Sequence, residues 1–251
     1  MKNVFRNIGI LALACFSFLV TDETITVVKE SDKLMIEIKE KASSYFVNGV
    51  DGKINDKYIK LGFNGLEIDV LSSYDAMKKI GYFNETMLVY KNIDHKYPLS
   101  KNLIVNGNSK NEVSLIFKNP DNIDQILSVF KNSNLNASFL ISKEYYLNNF
   151  ESIEDAIKYG NNIIILDEYN FFKKELKHDY FCYSTLYKKC NKTYIEETIN
   201  IKNYKMLKEK INKGNIILLD ETNYLDIYIK YILSKGINIV NLDTFINENI
   251  K

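Results

Sequence analysis

The chain has 251 residues, and its 33 basic and 32 acidic side chains leave it close to neutral. That length suits either one domain with a long N-terminal extension or two unequal domains. The balanced charge argues against a nucleic-acid or acidic-membrane partner recognised through overall charge.

The first twenty residues have the pattern of an export signal or a short membrane anchor. Lys2 and Arg6 precede the thirteen-residue apolar run IGILALACFSFLV, and the chain turns polar at Thr21. A run of that length suits the core of a signal peptide better than a bilayer span, which needs about 20 residues. No small-x-small cleavage site follows, so an uncleaved anchor over residues 5–20 stays open. We therefore expect residues 1–21 to direct export, leaving the protein secreted or membrane-anchored.

Residues 22–110 are predicted to form an N-terminal extension and a small module. The charged lead-in contains TITVVKE and KLMIEIKEKA as its ordered pieces. The segment after it is rich in Gly and Asn, as in VNGVDGK and LGFNGLE, and such residues mark turns between short elements. The pattern predicts a small, irregular α+β module with no assigned role.

From residue 111 to residue 251 the pattern becomes regular. The strand VSLIF is followed by Asp121 as a helix cap, an amphipathic helix and the strand ASFLI, and the same alternation recurs to the strand INIVNL. Helices alternating with continuous apolar strands predict a parallel sheet covered by helices. An open sheet and a closed barrel both satisfy this α/β pattern.

Two segments, YGNNIIILDEYN and KGNIILLDETN, each place an Asp-Glu pair after an aliphatic strand. The four carboxylates are Asp167, Glu168, Asp220 and Glu221. Ligands bind at the carboxyl ends of parallel strands, so these are candidate cleft carboxylates for a hard cation or for acid catalysis on a glycan. The alternative is that each Asp caps the following helix.

Cys182 and Cys190 lie in FCYSTLYKKCNKTYI, between two aromatic and β-branched runs. Thiols of exported proteins tend to pair, which predicts a disulfide across a small hairpin. Two unrelated thiols are the alternative. A metal site is disfavoured because no His lies between them and the chain has no second Cys pair.

The region of residues 112–250 resembles the polysaccharide deacetylase (NodB-homology) family of carbohydrate esterases. In that family an aliphatic strand ends in Thr-Phe-Asp-Asp-Gly, and a helix then leads to Lys-Ala-Thr-Phe-Phe. Here LIFKNP and LNASFLI stand at those places, and GNIILLDETN is similar to the family's closing Gly-Ser-Ile-Ile-Leu-x-His. The resemblance implies a distorted (β/α) barrel, shortened here between Asn170 and Thr193.

The resemblance also implies a divalent metal, often zinc, held by one Asp and two His, with an Asp as base and a late His as acid. The family's two aspartates fall on Lys118 and Asn119, its glycine on Pro120 and its late His on Asp220. This chemistry needs three histidines, two as metal ligands and one as the acid, whereas the chain has two. Lys118 also brings a cation to the metal position, which is costly in a poorly solvated pocket.

We therefore expect no metal, no cofactor and no catalytic residue at these degenerate positions. His95 and His178 are the only histidines, and His178 is predicted to be a surface residue. The expected function is that of an exported, cell-surface pseudoenzyme that binds a cell-wall or other polysaccharide or serves as a scaffold.

Sugar-stacking candidates are tyrosines that could line the old cleft. They are Tyr145, Tyr146 and Tyr169. Ordinary packing is the alternative for each ring. Two other functions stay open: a divergent active deacetylase of cell-wall or chitin-like glycans, with zinc, and a carboxylate-based glycan hydrolase.

Overall fold

The structure, a computed structural model, describes residues 32–220 and 222–250. The predicted signal or anchor over residues 1–21, and the TITVVKE piece, lie outside the described residues. Within those ranges, no helix is both long and apolar enough to cross a bilayer.

The strands are, in chain order, β1 (Lys53–Asn55), β2 (Tyr58–Leu61), β3 (Gly65–Ile68), β4 (Tyr90–Ile93), β5 (Ile104–Asn108), β6 (Glu112–Lys118), β7 (Ser138–Ile141), β8 (Asn162–Ile165), β9 (Phe181–Tyr183), β10 (Tyr194–Ile195), β11 (Ile199–Ile201), β12 (Ile216–Leu219) and β13 (Asn238–Ile239). The α-helices are α1 (Lys33–Ala42), α2 (Val70–Met77), α3 (Ile123–Asn132), α4 (Lys143–Asn148), α5 (Phe150–Lys158), α6 (Tyr169–Glu175), α7 (Tyr204–Lys210), α8 (Leu225–Ser234) and α9 (Leu242–Phe245). Short 3-10 helices cover Ser43–Tyr45, Glu85–Met87 and Ser184–Leu186.

The described chain divides into two compact units, a smaller one of residues 32–48 and 65–93 and a larger one of 49–64 and 94–250. The smaller unit packs α1 and α2 with the antiparallel pair β3–β4. Its core is formed by Leu34, Ile38, Ile68, Met77 and Leu88. This unit has α+β content and overlaps part of the Gly- and Asn-rich segment within residues 22–110. The domain boundary that we predicted at residue 111 differs from this division. Strands β1, β2 and β5 precede residue 111, yet they belong to the main sheet of the larger unit.

The larger unit is built on one curled, mostly parallel sheet with the order β1-β2-β5-β10-β9-β8-β7-β6-β12-β11 and with β13 beside β6. Residues 196–198 alone separate β10 from β11, yet β10 pairs with β9 and β11 pairs with β12. This short segment therefore joins β10 to β11, which are the strands at the two ends of the run β10-β9-β8-β7-β6-β12-β11. This confirms the predicted distorted barrel type as a curled half-barrel.

Alternation along each strand divides the core into two layers. The outer face packs against the helices through residues that include Phe117, Phe139, Ile126, Phe130 and Tyr228. The opposite face, here called the inner face, carries the buried residues Ile116, Leu140, Ile164, Phe181, Ile195 and Leu218. Both layers are apolar, so the burial of apolar side chains stabilises the sheet on both of its faces.

The first helix after β6 forms for the predicted reason, with Ile123, Ile126 and Phe130 buried on one face. The predicted cap is wrong, however. The N-cap residue is Asn122 rather than Asp121, and its side chain makes no capping hydrogen bond. The backbone N–H groups that open this helix therefore have no side-chain acceptor from the cap position.

Gly214 leads into β12 and permits a close backbone contact. Its φ is +77°, and a Cβ there would lie 1.9 Å from the carbonyl oxygen of Asn108. Gly236 has a similar φ of +69°, but no heavy atom lies within 4 Å of the position that a Cβ would take there. Both glycines therefore have a left-handed backbone, but of the two only Gly214 would bring an added Cβ into a clash with another residue.

We predict that Gly214→Ala lowers the free energy of unfolding by on the order of 4 kcal/mol, since clash and strain add. Gly236→Ala, the matched control, should cost about 1–2 kcal/mol from the left-handed backbone alone. Urea denaturation measures both. Equal losses would contradict the close approach at Asn108.

Candidate functional site

Three charged side chains end three adjacent strands in one row. In the ladder β11–β12–β6, Leu218 pairs with Asn200 on one side and with Ile116 on the other. Side chains two residues apart share a face, and neighbouring strands lie about 4.8 Å apart. The next row on the same face therefore consists of Lys202, Asp220 and Lys118. Asp220 lies between the two lysines.

This row lines a cavity of about 600 Å³ at the carboxyl ends of β6 and β12. The cavity is also lined by Asn119, Pro120, Asp121, Asn122, Leu219, Thr222 and Asn223. The side chains of Lys118, Lys202 and Asp220 are exposed, and within the described ranges none of the three has an ion pair. The positions carried over from the resemblance, Lys118, Asn119 and Asp220, line this one cavity.

Asn119 holds the end of β6 in place. Its φ is 41°, a left-handed backbone that Asn tolerates better than most residues. The Oδ1 atom accepts a hydrogen bond from the Ser142 backbone N–H at 2.9 Å, and Nδ2 donates to Ser142 Oγ at 3.3 Å. The amide is therefore engaged in positioning the cavity wall.

Tyr145 holds the next residue of that wall. Its hydroxyl donates a hydrogen bond to the Pro120 carbonyl oxygen at 2.6 Å. Burial, with smaller contributions from the charges of Asp121 and Asp124, raises the pKa of the Tyr145 hydroxyl to about 12. The ring packs against the outer-face core, so Tyr145 braces the cavity from behind and does not line it.

The other two predicted stacking rings also lie outside the cavity. Tyr146 is 3% exposed and makes edge contacts with the rings of Phe150, Phe171 and Phe172, so the stacking prediction is wrong for it. Tyr169 lines a different cavity of about 290 Å³ and donates its hydroxyl to Asn191 Oδ1. Packing explains both residues better than sugar contact.

The first Asp-Glu pair, Asp167 and Glu168, lies away from the row. Asp167 accepts a hydrogen bond from the Lys143 backbone N–H at 2.9 Å, so it serves the start of α4 and not the helix that follows it. Glu168 is exposed with a φ of 44°, and Glu221 lies outside the described residues. Because β7 and β6 lie between β8 and β12, the strands that precede Asp167 and Asp220 are roughly 14 Å apart across the sheet. This strand spacing is wider than the separation of glycosidase carboxyl pairs, about 5–9.5 Å, and disfavours a paired-acid site.

Neither histidine lies at the cavity. The His95 side chain is 2% exposed, with Nδ1 2.7 Å from Asn64 Oδ1 and Nε2 2.8 Å from Glu248 Oε1. Glu248 also accepts a hydrogen bond from the Leu99 backbone N–H at 2.8 Å. His95 thus fixes the C-terminal segment. His178 is exposed, as predicted, and lines the same separate cavity as Tyr169.

The donors at the cavity do not suit zinc, the metal that the fold family implies. Zinc prefers imidazole and thiolate ligands with carboxylate support, whereas this row offers two ammonium groups and one carboxylate, and the Asn119 amide is engaged elsewhere. Across residues 32–220 and 222–250 no cluster of three His, Cys, Asp or Glu side chains could hold a metal.

Two inner-face features escaped the sequence reasoning. Lys202 follows β11, a three-residue strand that the periodicity did not reveal. Tyr183 donates its hydroxyl to Glu197 Oε2 at 2.6 Å, and burial, followed by the Glu197 carboxylate, raises the pKa of that hydroxyl. The Tyr183 ring packs against the inner-face core. Alternation in the FCYS run is the signal that would place Tyr183 on this face.

Cys182 and Cys190 are bonded as a disulfide in the structure, with their Cα atoms 6.5 Å apart. Cys182 lies in β9 and is fully buried. The bond closes the short loop that contains the Ser184–Leu186 helix. The strands on either side of this loop, β9 and β10, pair in parallel, so the predicted hairpin is wrong.

No family model matches the chain. It is 26% identical over 149 residues to the uncharacterized protein YlxY of Bacillus subtilis strain 168, a match that covers 56% of this chain and 47% of that protein. The chain therefore spans about half the length of that curated relative.

Two solved structures of one protein share the fold. Wild-type CE4 family pseudoenzyme from Bacillus anthracis superposes with a TM-score of 0.66 at 17% identity, covering 88% of this chain and 97% of that one. A mutant of that pseudoenzyme, described as having restored enzymatic activity, gives a TM-score of 0.63 at 17% identity and covers 88% of this chain and 100% of its own.

We predict that Tyr145→Phe lowers the free energy of unfolding by about 1 kcal/mol at pH 7, because the Pro120 carbonyl loses its donor. The folded-state pKa of about 12 exceeds the ordinary value of 10.0. The stabilisation is therefore complete below pH 10 and is lost as the pH rises from about 10 through 12.

Urea denaturation at pH 7 and pH 11 tests this. Tyr159→Phe is the matched control, because Tyr159 is 54% exposed. Tyr145→Phe should be less stable than the control at pH 7, and the difference should narrow at pH 11. The same stability in both variants at pH 7 would show that the hydroxyl does not hold the wall.

Proposed function

We propose that this deacetylase-like chain, which has the CE4 carbohydrate-esterase fold, is an exported cell-surface protein that binds a glycan in its cavity without hydrolysing it. The observation that carries the proposal is the row Lys202–Asp220–Lys118 on the wall of that cavity. The fold retains a ligand-sized space while its charged groups are unsuited to the family's chemistry.

Hydrolysis of an acetamide in this family depends on a metal that polarises the carbonyl and activates water. Lys118 stands at the first aspartate position, and an ammonium there repels a divalent cation. Asp220 stands at the position of the late acid, where the family has an imidazole and this chain has an exposed carboxylate. The row therefore lacks the ligands and the acid.

The cavity suits a ligand better than a reaction. Its volume of about 600 Å³ falls within the usual range of small-molecule sites, about 300–1,000 Å³. Asn122, Thr222 and Asn223 supply amide and hydroxyl groups that can hydrogen-bond to sugar hydroxyls. Among its lining residues there is no aromatic ring, so recognition would depend on polar contacts.

The Bacillus anthracis comparison supports a loss confined to a few side chains. That protein shares the fold and is described as a pseudoenzyme, and a mutant of it is described as having restored activity. A CE4 scaffold can therefore outlast its reaction. Export of this chain rests on the pattern of residues 1–21, and the Cys182–Cys190 disulfide is consistent with an oxidising compartment.

We predict that the purified protein binds chitooligosaccharide or peptidoglycan strands and returns them with unchanged mass. Asn223→Trp should abolish binding, because the indole fills the cavity that the exposed Asn223 lines. Calorimetry measures binding, and mass spectrometry of the recovered glycan detects acetate loss.

Asn212→Trp is the matched control, since Asn212 is exposed and outside the cavity lining. This variant should bind as the wild type does. Release of acetate by the wild-type protein would overturn the non-catalytic proposal, and equal binding by both Trp variants would place the glycan elsewhere.

A further inference from the structure

We propose that the glycan recognised by this cavity carries an oxyanion, a carboxylate or a phosphate, which Lys118 and Lys202 bind from the two sides of Asp220. This inference rests on the proposed function and names the ligand class of the same site.

The geometry of the row permits a shared contact. Lys202 and Lys118 end strands that are two steps apart, which places their Cα atoms about 10 Å from each other across β12. Both side chains extend from the same face into one cavity. Flexible four-carbon stems let two ammonium groups converge on a single oxyanion held between them.

The charge balance of the row favours an anion. Two ammonium groups flank one carboxylate, and within the described chain neither lysine is neutralised by an ion pair. The row therefore keeps one net positive charge. Asp220 offsets part of that charge, so it should weaken anion binding.

The two helices that begin beside the cavity also favour the binding of an anion. The ten-residue helices α3 and α8 begin beside the cavity, and their N-cap residues, Asn122 and Tyr224, make no side-chain capping bond. The positive ends of both helix dipoles add to the potential of the lysines. Asp121 also lines the cavity and is exposed, so the described lining holds two lysines and two aspartates, and its net formal charge is zero. Anion binding therefore depends on the placement of the two lysines beside the helix N-termini.

The loss of water from the two ammonium groups is the reason why the site should distinguish acidic from neutral glycans. A neutral glycan in this cavity would remove water from two ammonium groups without supplying a charged partner, and such burial is unfavourable. An oxyanion replaces the lost water with charge-assisted hydrogen bonds. The site should therefore prefer an acidic glycan to a neutral glycan of equal length.

The test compares four probes by calorimetry at low and high salt. They are a chitooligosaccharide, an N-acetylglucosamine–N-acetylmuramic acid oligomer of the same length, a glycerol-phosphate-substituted oligosaccharide of that length, and inorganic phosphate. At least one acidic glycan should bind more tightly than the chitooligosaccharide, with an affinity that falls as salt rises. Whichever acidic probe binds identifies carboxylate or phosphate as the source.

Variants assign the effect to the row. Lys118→Gln and Lys202→Gln should each weaken the acidic glycan about three- to fivefold, and together about tenfold, with the neutral glycan unchanged. Asp220→Asn should strengthen acidic-glycan binding about threefold, a gain that misfolding would not produce. Lys79→Gln, on an exposed lysine outside the cavity lining, should change nothing.

The outcomes separate this inference from the proposed function. Equal affinities for neutral and acidic glycans overturn the inference and leave glycan binding intact. No binding of any glycan overturns both, even if inorganic phosphate binds. Loss of acidic-glycan affinity in Asp220→Asn would also contradict the inference.

Discussion

The charge pattern of the cavity depends on the parallel pairing of β11, β12 and β6. This pairing sets Leu218 beside Ile116 in the inner-face core, and the pleat then directs the next row outward at the same edge. Lys118 and Lys202 cannot turn to the other face without moving buried neighbours from the core. The charge pattern of the cavity is therefore a consequence of packing.

The same constraint explains how the fold can form whatever side chains stand at the strand ends. The residues that stabilise the sheet, such as Ile116, Leu140 and Ile164, are buried and apolar, and their burial contributes free energy whatever stands at the strand ends. Lys118 and Asp220 are exposed, so substitutions at those positions have small effects on stability. The catalytic groups of such a scaffold can be replaced without loss of structure.

Much of the larger unit could be predicted from local patterns. The runs after residue 111 showed helical and strand periodicity, and the strand ends Lys118 and Asp220 followed from them. The bonded cysteines agree with the prediction, and the curled sheet agrees with the barrel type that the family resemblance implied. The individual helices and strands depend on residues close together in sequence, whereas the periodicity left an open sheet and a closed barrel equally possible.

The errors concern long-range partners. Periodicity does not show that β5 joins β10 or that β11 joins β12, so Lys202 was missed. From the sequence, Tyr146 was a candidate for stacking on a sugar. In the structure, Phe171 and Phe172 from another helix cover its ring. Asp167 was a candidate cleft carboxylate or a cap of the following helix, whereas its partner is the backbone of Lys143, 24 residues earlier. Each case depends on contacts between distant segments.

We propose that the Lys118 ammonium group stands where the metal of the CE4 fold would be held, and the zinc content of the purified full chain tests this proposal most directly. After incubation with excess zinc and dialysis, elemental analysis should find far less than one zinc per chain, with no difference between wild type and Asp220→Asn. One tightly held zinc per chain that disappears in Asp220→Asn would contradict the account.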